Sequence, residues 1–376
     1  MECDGVYSNP KSRAQARDKC PLGYTASAAK VKIIMSTNSF YVGGGAAKSL
    51  AEVAMLQKKY ELFDQKIIPE IFQKTLGLKV TAITKPEIVG LPHVTFFVQA
   101  NDGQEYCFRA NLGNEAAEIE LKVEKLVSDL VRKAGVQANT ILYVDCSRQN
   151  YAFDFQIQEK IQGKNPEHNF TGNQQDYDKV SYDLGQIIGK LSLIQIPGFG
   201  TFNKGIANTQ NKLITTLTSN YEYISHELVD QIAYIVAAEI MTKDQGEKIQ
   251  AVFEGSQDLI NINTGSIVHY DLADHNFFYD PKTFKIVGLF DWESVCVSDS
   301  LLDLASAPTW KTLYPREDQL MAGFTSIAKL PENYQQKMDL YKLRTVIWKL
   351  VHNLKFKLLN QERLDRYHNA LKPFGI

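Results

Sequence analysis

Ser266-Ile-Val-His-Tyr-Asp-Leu-Ala-Asp-His-Asn-Phe-Phe-Tyr-Asp280, with Lys285-Ile-Val-Gly-Leu-Phe-Asp-Trp-Glu293 shortly after it, is the most informative stretch of this 376-residue chain. It carries His269, Asp271 and Asn276 in the spacing H-x-D-x-x-x-x-N, and Asp291 twenty positions beyond Asp271. Phosphoryl transfer needs this set of parts. One carboxylate orients the attacking hydroxyl and accepts its proton. An amide oxygen and a second carboxylate hold magnesium against nucleotide phosphates, because that ion prefers hard oxygen ligands. Residues Asn276 to Asp291 read as a β-hairpin turning at Asp280-Pro281-Lys282. The two strand ends of a hairpin lie side by side, so Asn276 and Asp291 can face one metal ion.

Upstream, His93-Val-Thr-Phe-Phe-Val-Gln99 and Gln104-Glu-Tyr-Cys-Phe-Arg-Ala110 flank Ala100-Asn101-Asp102-Gly103, whose chemistry predicts a hairpin turn. Before them, apolar residues from Leu50 to Phe72 recur at helical spacing, with Pro69 dividing the stretch into two helices. After them, Ile119, Val123, Leu126, Val127, Leu130 and Val131 share one side of a helix predicted over 115–134, ended by Gly135. Strands over 140–144 and 151–157 complete a β-rich first half. Beyond Gly163, helical periodicity covers 176–194, 208–224, 227–243 and 245–254, and returns over 332–371 after the hairpin. The fold class expected is α+β: residues 1–40 a flexible N-terminal tail, 41–160 a small β/α lobe, and 161–376 a larger, mostly helical lobe.

Composition excludes several classes. The 41 basic and 43 acidic residues leave a net charge of -2, so no strong global field draws in nucleic acid or an anionic membrane. No apolar run approaches the roughly 20 residues of a membrane helix. The segment at the N-terminus lacks the apolar core of a signal peptide. Five scattered cysteines, none in a C-x-x-C pair, indicate neither a zinc site nor a disulfide framework, and fit a reduced, cytoplasmic protein.

The H-x-D-x-x-x-x-N loop, the hairpin with Asp280-Pro281, the segment Gly288-Leu-Phe-Asp-Trp-Glu293 and the later Asp303-Leu-Ala resemble the aminoglycoside phosphotransferases and their relatives. The resemblance implies a protein-kinase-like two-lobed fold that moves the γ-phosphate of ATP or GTP, with Mg2+, to a hydroxyl of a small molecule. It implies Asp271 as catalytic base and Asn276 and Asp291 as metal ligands. Arg109 falls where kinases place their phosphate-contacting lysine, with Glu124 as its ion-pair partner and Glu120 as competitor. Phe155 to Gly163 resembles the hinge, where main-chain groups near Gln158 and Lys160 would bind the nucleotide base. His269 and Asp303 are implied structural supports, Asp303 bracing the catalytic loop. Ser192 stands where relatives carry a histidine, a change expected to affect packing and not chemistry. Ile88-Val-Gly-Leu-Pro-His93 takes the place of the glycine-rich loop with one glycine, Gly90.

The acceptor is harder to read. Residues 221–260 hold eight acids and two lysines, a net of -6, where relatives build part of the acceptor site. That favours an aminoglycoside or a similar cationic, hydroxylated acceptor. Residues 331–376 hold nine basic and four acidic residues, a net of +5, and argue the other way. Choline-type and sugar-type acceptors stay open. A protein kinase is disfavoured by the missing glycine-rich loop and by Asp-Trp-Glu in place of Asp-Phe-Gly. A non-catalytic nucleotide-binding scaffold has little need of Asp271, Asn276 and Asp291 together.

Overall fold

The structure, a computed structural model, describes residues 58–86, 93–112 and 121–376. The expected tail at 1–40, the start of the first helical stretch, the loop around Gly90, the opening of the helix predicted from 115 and Glu120 lie outside these residues.

A helical turn, α1 (Lys59–Leu62), precedes α2 (Ile68–Leu76). Pro69 lies in the first turn of α2, where its missing N–H costs nothing, and Gly77 ends the helix in the left-handed conformation. Five antiparallel strands follow: β1 (Val80–Thr84), β2 (Val94–Ala100), β3 (Glu105–Asn111), β4 (Ile141–Asp145) and β5 (Asp154–Glu159), in the order β1-β2-β3-β5-β4. The β2–β3 hairpin pairs Thr95 with Arg109 and Phe96 with Phe108. Strand alternation therefore sends Phe96 and Phe108 into one apolar cluster with Phe63, Phe72 and Phe155, and Arg109 to the other face. Helix α3 (Leu121–Lys133) carries Glu124.

The larger lobe begins with α4 (Gln174–Ser192), capped by an Asn173–Asp176 capping box. A second five-stranded sheet, β6-β9-β12-β7-β8, is made of β6 (Gln195–Ile196), β7 (Phe199–Phe202), β8 (Thr215–Leu217), β9 (Gly265–Val268) and β12 (Cys296–Ser298). The hairpin strands are β10 (Phe277–Tyr279) and β11 (Ile286–Leu289), with Phe277 opposite Leu289. The remaining helices used below are α5 (Lys204–Gln210), α6 (Asn220–Ser225), α7 (Leu228–Ala237), α8 (Lys243–Gly255), α9 (Leu301–Ser306), α10 (Glu317–Thr325), α11 (Tyr334–Lys355) and α12 (Gln361–Leu371).

The helix expected over 208–224 is not continuous. Asn211 takes the left-handed conformation at the end of α5, and Thr215-Thr216-Leu217 then pair with β7 before Ser219 caps α6. Helix α4 packs against α10 at near backbone contact. A Cβ on Gly185 would come within 2.1 Å of the Leu320 carbonyl, and one on Gly323 within 2.0 Å of the Tyr182 carbonyl. Glycine is required at both crossing points. Among the described residues no helix is long and apolar enough to cross a membrane.

Candidate active site

The catalytic loop leaves β9 at Val268 and is held by Asp303 on α9. Both Asp303 oxygens accept main-chain hydrogen bonds, from His269 N–H at 2.8 Å and Tyr270 N–H at 2.7 Å. Tyr270 sits at φ +67°, a conformation a bulky residue adopts only when its surroundings fix it. Burial pushes the Asp303 carboxyl up to about 7, against the two N–H bonds that favour its charge. His269 is fully buried, and desolvation holds its imidazole down at about 4. Its Nδ1 accepts from the Asp271 N–H at 3.3 Å, so Nε2 carries the proton and donates to the Phe290 carbonyl at 3.0 Å. The ring also packs on Trp292, 4.5 Å between centroids.

Replacing Asp303 by alanine strands two buried N–H groups, each worth about 1–3 kcal/mol when left unpaired. We expect Asp303→Ala to lower stability by about 2–4 kcal/mol in denaturant titrations. Because the folded-state carboxyl is raised to about 7, its contribution is full at acid pH and is lost as pH rises through that value. The deficit should therefore be larger at pH 6 than at pH 8.

Asn276 and Asp291 converge as the hairpin geometry predicts. Phe290 N–H donates to the Asn276 carbonyl at 3.0 Å, which ties the end of the catalytic loop to the start of the second segment. The Asn276 amide donates to the main-chain oxygen of Asp271 at 2.8 Å. Asp291 adopts φ +66°, which swings the chain so that Trp292 turns into the core while Glu293 points towards Arg109. Asp271 Oδ1 and Asp291 Oδ1 are both buried without a hydrogen-bond partner among the described residues. Desolvation, with Glu293 and Asp271 nearby, pushes the Asp291 carboxyl well up, although Arg109 pulls it down. Two carboxylate oxygens that accept no hydrogen bond, beside further negative charge, fit a divalent cation.

Arg109 is buried on β3 and donates to Glu124 at 2.9 Å, with Glu293 at 3.3 Å and Asp291 at 3.7 Å. Burial opposes its charge, but Glu124, Asp291 and Glu293 outweigh that and hold the guanidinium above its usual range. His93 meets Glu293 at 2.5 Å from the edge of β2. These contacts span up to 200 residues of sequence, so His93 had no local signal as a site residue, and Glu293 stood out only within the Asp-Trp-Glu segment.

The hinge segment continues from β5. Gln158 pairs with Cys107 on one side and Ile141 on the other, and its side chain accepts from Asn139 at 2.6 Å. The Lys160 N–H donates to the Glu105 carbonyl at 3.1 Å, and its ammonium binds the Glu105 side chain at 3.0 Å. Ser192, at the end of α4, donates back to Gly189 at 2.6 Å.

Asp274 is buried, and Arg316 and Tyr177 each donate to it at 2.7 Å. Arg316 also donates to the Leu272 and Ala307 carbonyls, so it braces the loop from the start of α10. His275 instead lines a cavity of about 420 Å³ together with Ala273. The outer wall of that cavity includes Lys349 on α11 and Arg363 and Arg366 on α12. None of the eight acids of residues 221–260 lines it; all but Glu227 are exposed. Those side chains lie on α6–α8 and the loops beside them.

Fold and site together define a kinase-like phosphotransferase that acts on hydroxyl groups of small molecules. Residues 90–324 match the phosphotransferase enzyme family, and the chain belongs to it. An aminoglycoside phosphotransferase APH(4)-Ia, in a thermostable apo form, has the same fold: TM-score 0.60, 15% identity, 81% of this chain and 98% of that one covered. A Thermobifida fusca protein assigned as a fructosamine-3-kinase gives 0.59 at 13% identity, with 81% and 98% covered. The macrolide 2'-phosphotransferase MphH of Brachybacterium faecium gives 0.55 at 13% identity, with 82% and 98% covered. No curated protein matches the chain in sequence.

Proposed function

We propose that this protein transfers the γ-phosphate of ATP or GTP, in the presence of Mg2+, to a hydroxyl of a small molecule in the cytoplasm. The observation that carries this reading is the pair of buried carboxylate oxygens on Asp271 and Asp291 that accept no hydrogen bond, that of Asp291 lying 3.7 Å from Arg109. Residues 41–160 form the nucleotide-binding lobe and 161–376 the catalytic and acceptor lobe. Similar folds have been seen with AMP-PNP and hygromycin B bound together, which supports a nucleotide and a small acceptor as partners here.

Asp271 accepts the proton of the acceptor hydroxyl as its oxygen attacks the γ-phosphorus. The bond to the β,γ-bridging oxygen breaks, leaving a phosphorylated acceptor and the nucleoside diphosphate. Arg109, held by Glu124, presents its guanidinium to the phosphates as a planar fork. Asn276 and Asp291 would hold Mg2+, which supplies charge neutralisation at the transferring phosphoryl group. Asp303, His269 and Arg316 keep the loop rigid, so catalysis is mainly positioning and charge stabilisation.

The test is incubation with labelled ATP and GTP against a panel of hydroxylated small molecules, with and without Mg2+. Magnesium-dependent label on an acceptor is the expected result. Nucleotide binding with no transfer to any acceptor or to water would favour a scaffold instead.

A further inference from the structure

We propose that the acceptor is a hydroxylated small molecule bearing an anionic group, a carboxylate or a phosphate, which Lys349, Arg363 and Lys311 hold in the cavity beside the catalytic loop. This rests on the phosphotransferase reading of the site and narrows it. The cavity reaches the catalytic loop at Ala273 and His275, two and four residues past Asp271, and its Lys349 is close enough to Asp271 for the two charges to interact.

Its charge is unbalanced. Two carboxylates line it, and both are already committed: Glu167 to His275 at 2.6 Å and Glu362 to Arg366 at 2.5 Å. Lys311, Lys349 and Arg363 line the same space, and none forms an ion pair among the described residues, although Lys311 lies near Glu167 and Lys349 near Asp271. Lys349 is fixed rather than free to swing away. Its ammonium donates to Thr309 Oγ1 at 2.6 Å and lies 3.3 Å from the centre of the Trp310 ring. Thr309 is held in turn, its carbonyl accepting from Arg366 at 3.2 Å. Burial pushes the Lys349 ammonium well down, and Arg366, Arg316 and Arg363 push it further, with Asp271 alone opposing them. A cation in that position is short of negative charge, and a bound anion supplies it.

Polar and planar features suit the same occupant. The Trp310 indole N–H is buried and has no partner among the described residues. Arg363 donates through Nη1 to the Leu358 carbonyl, and its Nε and Nη2 side can offer a carboxylate or phosphate two parallel N–H groups. A polycationic acceptor would meet Lys311, Lys349 and Arg363 in a confined space, where like charges repel far more than in water. Nucleotide phosphates have a separate cation in Arg109, on the small lobe.

The protein's own fluorescence tests this. It has three tryptophans, and two of them, Trp310 and Trp348, line the cavity. The full chain is titrated with anionic probes (gluconate, glucose 6-phosphate, citrate) and cationic ones (hygromycin B, choline) while tryptophan emission is followed. The same compounds are then offered as acceptors of labelled phosphate. We expect anionic probes to change the emission, a hydroxylated one to take up label, and the cations to do neither. Arg363→Glu should weaken anion binding on the order of 10- to 100-fold, with Arg363→Lys recovering most of it. A thermal transition on each variant checks folding.

Tighter binding or faster transfer with the cations, or no response to any anionic probe, overturns the proposal. So does an Arg363→Glu variant with unaltered anion affinity. If anions fail to bind while Asp271-dependent nucleotide turnover persists, only the acceptor assignment falls. If anions bind and no phosphate is ever transferred, the phosphotransferase reading falls and the anion site stands.

Discussion

Asp271→Asn should slow phosphoryl transfer about a thousandfold, within the range lost with a positioned general base, while leaving nucleotide affinity nearly unchanged. The substitution keeps the size and shape of the side chain. It also leaves the main-chain oxygen of Asp271, which accepts from Asn276 at 2.8 Å, in place. What disappears is the oxygen that takes the hydroxyl proton, and that oxygen has no other partner to compensate. Burial raises the Asp271 carboxyl, with Glu293 adding to the effect and His275 and Lys349 opposing it. The rate of the wild type should therefore climb with pH along a limb above the ordinary carboxylate range, because the base must be ionised. The asparagine variant should lack that limb.

The same shift predicts the stability of the variant. A carboxyl raised in the folded state contributes stability below its unfolded pKa and loses it as pH rises through the folded value. At neutral pH the buried charge is a cost, so the asparagine variant should melt no lower than the wild type. A thousandfold loss of rate without loss of stability separates chemistry from folding. Undiminished transfer by Asp271→Asn would remove this residue from the mechanism.

Local chemistry explains which parts of the site were legible in the chain. His269, Asp271 and Asn276 lie within eight residues, and the hairpin that returns to Asp291 is set by its own turn and strand pattern. Arg109 and Glu124 were also readable, since a strand followed by a helix places them on facing elements, and they meet at 2.9 Å. The second sheet was not. Its strands are two to four residues long, and β9 is buried on both faces, so no period-2 alternation exists to read. Glu293, His93 and Arg316 act across long separations, which no local pattern encodes. The net charge of residues 331–376 was visible, but only packing of α11 and α12 over the catalytic loop turns part of it into a cavity wall.

The second large effect concerns Asp291. In the wild type, Mg2+ and nucleotide together should raise the melting temperature, since a ligand at a hundred times its Kd adds about 2.7 kcal/mol. In Asp291→Asn that increment should vanish, and chelation of the metal should abolish it in the wild type too. Asparagine is the informative choice. Position 291 sits at φ +66°, which asparagine tolerates far better than alanine, so the turn that buries Trp292 survives. The carboxylate removed is one that burial and its acidic neighbours Glu293 and Asp271 already disfavour. Without ligand, then, the variant should be at least as stable as the wild type. Arg109 would still reach Glu124 and Glu293, at 2.9 Å and 3.3 Å, and keep the small-lobe cation in place. Loss of the ligand-linked shift would then report loss of the metal ligand and not collapse of the site. A full magnesium-dependent shift in Asp291→Asn would mean that the carboxylate of Asp291 is not where the metal binds.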